Sequence, residues 1–286
     1  MARQNTAFST NKTLNINGRL VDLATPKVMG ILNVTPDSFF DGGRFLQEDQ
    51  ILKHVEKMLT DGAWCIDLGG YSSRPNAEDI PEEEEQRRVL FAIRLILKNF
   101  PNAWISIDTF RSEVAKAALD EGAVMVNDIS GGSLDSEMYN VVAKYKVPYV
   151  IMHMRGTPQT MSKLTDYEDL VKEVIDYFHQ KLFKLQEHGI YDVIIDPGFG
   201  FAKTIEQNFQ LLNQLEALKV VGKPILTGLS RKSMIWKTLS ISPQEAMNGT
   251  ASLNTIALLK GVSFLRVHDV KEAMQVIHLV ERTTLS

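Results

Sequence analysis

The sequence predicts an α/β protein: a closed (β/α)8 barrel of the TIM type with an N-terminal β-hairpin. Two patterns carry this. Eight short runs of β-branched and apolar residues alternate with longer stretches of helical spacing. No Gly-rich dinucleotide fingerprint follows the first run, and a doubly wound open sheet usually has fewer strands. The length of 286 residues suits one such barrel, and an apolar content of 44% is enough to fill its core.

Taken in order, residues 13–23 alternate in polarity around Asn17-Gly18, which predicts a hairpin that plugs the barrel floor. Strands are predicted at 27–32, 64–68, 104–107, 123–126, 148–152, 192–195, 224–226 and 263–266. Helices are predicted at 50–59, 82–97, 112–119, 136–145, 167–186, 204–218, 243–259 and 270–280. The first helix repeats apolar residues at 51, 52, 55, 58 and 59. The second starts at Pro81 with four glutamates, which complement a helix N-terminus and read as a solvated first turn rather than a metal site. No linker, low-complexity tract or heptad run interrupts the chain. A single domain over 1–286 is expected, with the hairpin at 13–23 and the barrel at 27–281.

The formal net charge of -4 argues against nucleic-acid binding by bulk electrostatics. Cys65 is the only cysteine, so no disulfide forms within the chain. Between Trp64 and Ile66 it reads as a buried strand residue. Residues 1–13 lack a signal-peptide apolar core, and no apolar run approaches the ~20 residues of a membrane span. A cytoplasmic protein with no membrane partner is expected.

In such a barrel the active site lies at the C-terminal ends of the strands. Polar residues fall there on every strand: Asn33; Gly69 through Pro75; Asp108; Asn127 and Asp128; His153; Asp196 with Pro197-Gly198-Phe199-Gly200; Ser230-Arg231-Lys232; and Arg266 with His268. A lone aspartate after a strand is more often a helix N-cap, and a lone Gly-rich turn mostly signals tight geometry. The joint pattern points to a site. Asp108, Asn127, Asp196 and Lys232 offer the acceptors and donors that an amino-pyrimidinone edge requires. Arg74, Arg266 and His268 offer positive charge for a phosphate. Asn33 offers Mg2+ a neutral oxygen, enough for an ion that keeps its waters beside substrate phosphates. No zinc motif and no nucleophile elbow is present.

These motifs resemble the dihydropteroate synthase family. They run from Met29-Gly30-Ile31-Leu32-Asn33-Val34-Thr35-Pro36-Asp37-Ser38-Phe39 through Asp67-Leu68-Gly69-Gly70 with Ser73-Arg74-Pro75, and Ser106-Ile107-Asp108-Thr109. Val126-Asn127-Asp128-Ile129-Ser130-Gly131-Gly132 and Asp196-Pro197-Gly198-Phe199-Gly200-Phe201 follow. Gly228-Leu229-Ser230-Arg231-Lys232-Ser233 and Arg266-Val267-His268-Asp269 close the series. One departure stands out: Tyr71 occupies the place of the family's usual second-loop glutamate, and Asn76 that of its glycine.

The resemblance implies substitution at a pterin methylene carbon: pyrophosphate leaves, and the amine of 4-aminobenzoate attacks. It implies that Asp108, Asn127, Asp196 and Lys232 hold the pterin, with Met152, Ile129, Gly200 and Phe201 lining its pocket. Arg266 would lie over the ring and reach the phosphate. Asn33 with Mg2+, Ser73, Arg74, Arg266 and His268 would bind pyrophosphate. Thr35, Phe39, Ser73, Pro75, Phe201, Ser230 and Lys232 would shape the aminobenzoate site, the place of sulfonamide action. The loops after strands 1 and 2 would close over the site, making binding ordered, and the chain would form a homodimer. A corrinoid-dependent pterin methyltransferase needs no pyrophosphate cations, so Arg74, Arg266 and His268 favour the synthase. A non-catalytic pterin-binding paralogue should have lost some of these groups.

Overall fold

The structure is a computed structural model that describes residues 12–35, 44–71 and 80–284. Strands β1 (Thr13–Ile16) and β2 (Arg19–Asp22) pair antiparallel. Asn17 and Gly18 between them both have positive φ, as a two-residue type I′ connection requires. The barrel strands are β3 (Lys27–Asn33), β4 (Cys65–Gly69), β5 (Ile105–Asp108), β6 (Met125–Asp128), β7 (Tyr149–Met152), β8 (Val193–Asp196), β9 (Leu226–Thr227) and β10 (Phe264–Val267). They are parallel in the order β8-β7-β6-β5-β4-β3-β10-β9. A bridge between Ile195 and Ile225 joins the two outer strands and closes the ring.

Helices α1 (Arg44–Thr60), α2 (Glu82–Asn99), α3 (Ser112–Asp120), α4 (Met138–Tyr145) and α5 (Leu170–Glu187) follow the first five barrel strands. Helices α6 (Ile205–Asn213), α7 (Ser233–Leu239), α8 (Met247–Leu259) and α9 (Val270–Thr284) complete the described set. In α2 the buried residues Val89, Ala92, Ile93 and Ile96 recur at one-face spacing, and the four first-turn glutamates oppose the helix dipole. Thr204 and Gln207 form a capping box that starts α6. None of the described helices is long and apolar enough to cross a membrane.

The core has two layers. Outward-facing strand residues such as Leu32, Leu68, Ile107, Val126 and Ile195 pack against the helices. Inside, the lower half of the barrel is filled by Met29, Cys65, Met125, Val150, Ile194, Leu226 and Phe264. Leu14, Ile16 and Leu23 of the hairpin complete that cluster, so the hairpin plugs the barrel floor. Burial, with Asp67 nearby, pushes the Cys65 thiol up, leaving it a neutral packing group.

Three expectations are corrected. Seven barrel strands run one or two residues further than predicted, so Asn33, Gly69, Asp108, Asp128 and Asp196 lie inside the ladder. The helix expected over 204–218 stops at Asn213, and a 3-10 segment, Leu215–Val221, ends at Gly222 with positive φ. The helix expected over 243–259 begins as a 3-10 turn, and α7, which was not predicted, precedes it.

Candidate active site

Strand residues two apart share a face, so Asp67 and Gly69 on β4, Asp108 on β5, Asn127 on β6, Asp196 on β8 and Arg266 on β10 belong to the inward set. A guanidinium lies at the centre. Arg266 Nε donates to Asp67 Oδ2 at 2.5 Å, and its Nη2 donates to Asp108 Oδ2 at 2.6 Å. Asn127 Nδ2 donates to the same Asp67 oxygen at 3.0 Å. Asp67 is fully buried, whereas the side chains of Asp108 and Arg266 keep 17% and 21% exposure and so open toward the mouth. Burial raises the Asp108 carboxyl, with Asp67 adding to the effect and Arg266 opposing it. The paired carboxylates raise Arg266 still further above its ordinary value, against its own burial.

Asp196 is buried and accepts from Gly198 N at 2.8 Å, while burial raises its carboxyl. It is not a helix cap, because Thr204 caps α6. Nor is Asp108, since Arg111 occupies the N-cap position of α3 without a side-chain bond. After Asp196 the chain turns so tightly that a Cβ on Gly198 would lie 2.1 Å from His153 O. This turn delivers Gly200 and Phe201 to Lys232, whose Nζ lies 4.4 Å above the Phe201 ring centroid. On the far side, Ser230 Oγ accepts from His268 N at 3.2 Å and ties the β9 and β10 ends together. Asn33 stands at the end of β3 beside Gly69, where an added Cβ would approach Asn33 Oδ1 to 3.3 Å and Asp108 Oδ2 to 3.6 Å. Thr35 follows it, and Met152 and Ile129 are buried at the ends of β7 and β6.

Three strand-end residues turn elsewhere. Asp128 faces outward and accepts from Ser130 N, Gly132 N and Tyr149 Oη. His153 Nδ1 meets Lys203 Nζ at 3.0 Å behind the loop. Arg231 pairs with Asp269. Glu85 leaves its solvated neighbours and is buried, accepting from Thr109 Oγ1 and Arg111 Nη1. Tyr71 is a packing residue: its ring stacks edge-on against Phe110 under the Arg111 guanidinium, and its hydroxyl accepts from Gln159. Phe39, Ser73, Arg74 and Pro75 lie outside the described residues, as do most of the two loops expected to close.

Two buried groups carry roles that the sequence did not assign: Asp67, which opens the motif Asp67-Leu68-Gly69-Gly70 without a role of its own, and Lys203. Asp67 lies two residues before Gly69 and so on the same, inward strand face. Lys203 is buried, donating to Gly198 O and Phe201 O at 3.1 Å each as well as meeting His153. Burial pushes it down to about 7. Its neighbours Ala202 and Thr204 gave no sign of this.

A mouth of buried acceptors and half-exposed cations suits a flat polar heterocycle with an anionic arm. The Pterin binding enzyme family matches residues 29–268. The chain is also 44% identical over 257 residues to the dihydropteroate synthase of Synechocystis sp., covering 89% of each. This chain belongs to the dihydropteroate synthase family of pterin-binding enzymes. Solved members share its fold. A sulfonamide complex of the Yersinia pestis dihydropteroate synthase is 38% identical, with a TM-score of 0.89 over 96% of this chain and all of that one. The Xanthomonas albilineans dihydropteroate synthase with 4-aminobenzoic acid is 36% identical, with a TM-score of 0.89 over 97% of this chain and all of that one.

Proposed function

We propose that this chain condenses 6-hydroxymethyl-7,8-dihydropterin pyrophosphate with 4-aminobenzoate, giving 7,8-dihydropteroate and pyrophosphate. The observation that carries this is the barrel-mouth cluster of Arg266 with Asp67, Asp108 and Asn127, within the segment that matches the family.

In this reading Asp108, Asn127 and Asp196 take the pterin edge, and Lys232 donates to it, with Met152, Ile129, Gly200 and Phe201 around the ring. Arg266, His268 and Arg74 neutralise the leaving pyrophosphate, the largest charge change in the step, and the Ser73 hydroxyl donates to it. Thr35, Phe39, Pro75, Ser230 and Lys232 seat 4-aminobenzoate, whose amine attacks the methylene carbon. An aryl amine needs no strong base, so orientation and leaving-group stabilisation are the main work of the site.

Among the described residues no three His, Cys, Asp or Glu side chains gather as a metal cage. The neutral side-chain oxygen of Asn33 at the mouth fits Mg2+, which binds mostly through substrate oxygens and water. Mg2+ held there would neutralise the pyrophosphate.

We also propose a cytoplasmic homodimer formed through α7 and α8. The test of the activity is turnover of purified chain with both substrates and Mg2+. Dihydropteroate and pyrophosphate in equal amounts are expected, and no product from folded protein would refute the assignment.

A further inference from the structure

We infer that Asp67 is a positioning residue for the reaction proposed above: a fixed buried counter-ion that holds Arg266 and Asn127 and releases Asp108 to the substrate. The inference rests on that reading. Asp67 sits mid-strand on β4, fully buried, and one of its oxygens takes Arg266 Nε at 2.5 Å and Asn127 Nδ2 at 3.0 Å. It thereby joins β4, β6 and β10 at one level beneath the mouth.

Arg266 in this structure is held by two carboxylates, and they are not equivalent. Asp108 keeps a path to solvent, and its Oδ2 is taken by Arg266 Nη2. A pterin N–H that claims Asp108 must displace that bond. A buried guanidinium stripped of its counter-ion is strongly destabilised. Asp67 removes the penalty, because it keeps Arg266 Nε paired while Asp108 turns away. It also has capacity to spare: Asp67 Oδ1 is buried with no hydrogen-bond partner among the described residues. A side-on pair through Nε and Nη2, one to each oxygen, is the arrangement in which arginine binds a carboxylate best. The transfer of Nη2 from Asp108 to Asp67 Oδ1 therefore accompanies pterin binding.

The test compares wild type with Asp67→Asn, which keeps the shape and one acceptor but loses the charge. Expected are a rise of about tenfold or more in the pterin pyrophosphate KM and a 4-aminobenzoate KM within about twofold of wild type. A general loss of folding would lower kcat and leave both KM values unchanged. Unchanged pterin kinetics, or equal losses for the two substrates, would overturn the proposal.

A second measurement reads the counter-ion in the wild-type chain itself. The Arg266 Nε–H signal, assigned by its loss in Arg266→Lys, is followed by nitrogen-15 NMR in the free chain and with 6-hydroxymethylpterin bound. Slow exchange with solvent in both states is expected. Exchange as fast as a free guanidinium in either state would refute Asp67 as the fixed partner. A wild type with no turnover but a protected Arg266 signal would reject the proposed reaction while leaving the counter-ion in place.

Discussion

Asp196 shows how one side chain serves fold and site together. Its Oδ1 holds Gly198 N in the turn that follows β8, and the carboxylate belongs to the inward face. Asp196→Ala should lower pterin affinity by about a hundredfold, since charge-assisted bonds of roughly 1.5–3 kcal/mol each are lost in a dry pocket. Calorimetry with 6-hydroxymethylpterin reads this, and near-normal binding by a folded variant would remove Asp196 from the site. Lys203 makes a second prediction. Its folded value, about 7, lies below the ordinary 10.5, so between these limits the unfolded chain binds more protons than the folded one. The burden of charging Lys203 is thus complete below about pH 7 and is relieved as pH rises toward 10.5. Urea midpoints should rise more between pH 7 and 9 for wild type than for Lys203→Met, and parallel lines would contradict the buried titration. Asp67 stands in a family motif, yet neither its role nor that of Lys203 was legible. All five residues of β4 are buried, so its sequence carries no polarity alternation to show which way Asp67 points. A lysine just before a helix reads as solvated until its three acceptors are seen.

The hairpin of β1 and β2 is the element most plainly written in the sequence, because Asn17-Gly18 supplies the two positive-φ residues its turn needs. Leu14 and Ile16 are almost fully buried in the floor of the barrel, opposite the mouth. Leu14→Ala should therefore cost about 2–5 kcal/mol of stability and leave kcat of the folded chain near wild type. Urea unfolding and turnover at low temperature check the pair, and a kcat loss without a stability loss would tie the floor to the chemistry. The eight-strand order was equally readable from hydrophobic runs, but the strand ends were not. Four of the strands end in a carboxylate or amide, and the predicted runs stop short of these residues, whereas here Asn33, Asp108 and Asp196 are ladder residues facing the site. Helix α7 escaped because it is only 7 residues long and begins directly after the Ser230-Arg231-Lys232 motif.

Across the whole molecule, one outer face breaks the pattern expected of a surface helix. The sequence of α8, MNGTASLNTIALL, has no charged residue. One side buries Thr250, Asn254, Ala257 and Leu258, while Met247, Ile256 and Leu259 stay exposed, and Leu239 at the end of α7 is exposed as well. A surface helix normally carries charge on its outer side, so an apolar helix with two clothed faces needs a covering partner. A second copy of the chain is the partner proposed. The positioned groups from Asn33 to His268 all come from one chain, so separating the copies should not dismantle the pterin pocket. Light scattering on the purified wild type should give twice the chain mass at micromolar concentration. The double substitution Ile256→Glu and Leu259→Glu places two like charges per copy in the contact and should yield a monomer that still binds 6-hydroxymethylpterin within about threefold of wild type, since mutations remote from a ligand usually act independently of it. A wild-type monomer, or a double variant that remains dimeric, would move the contact away from α8. Loss of pterin binding together with the dimer would mean that the neighbouring copy supports the site.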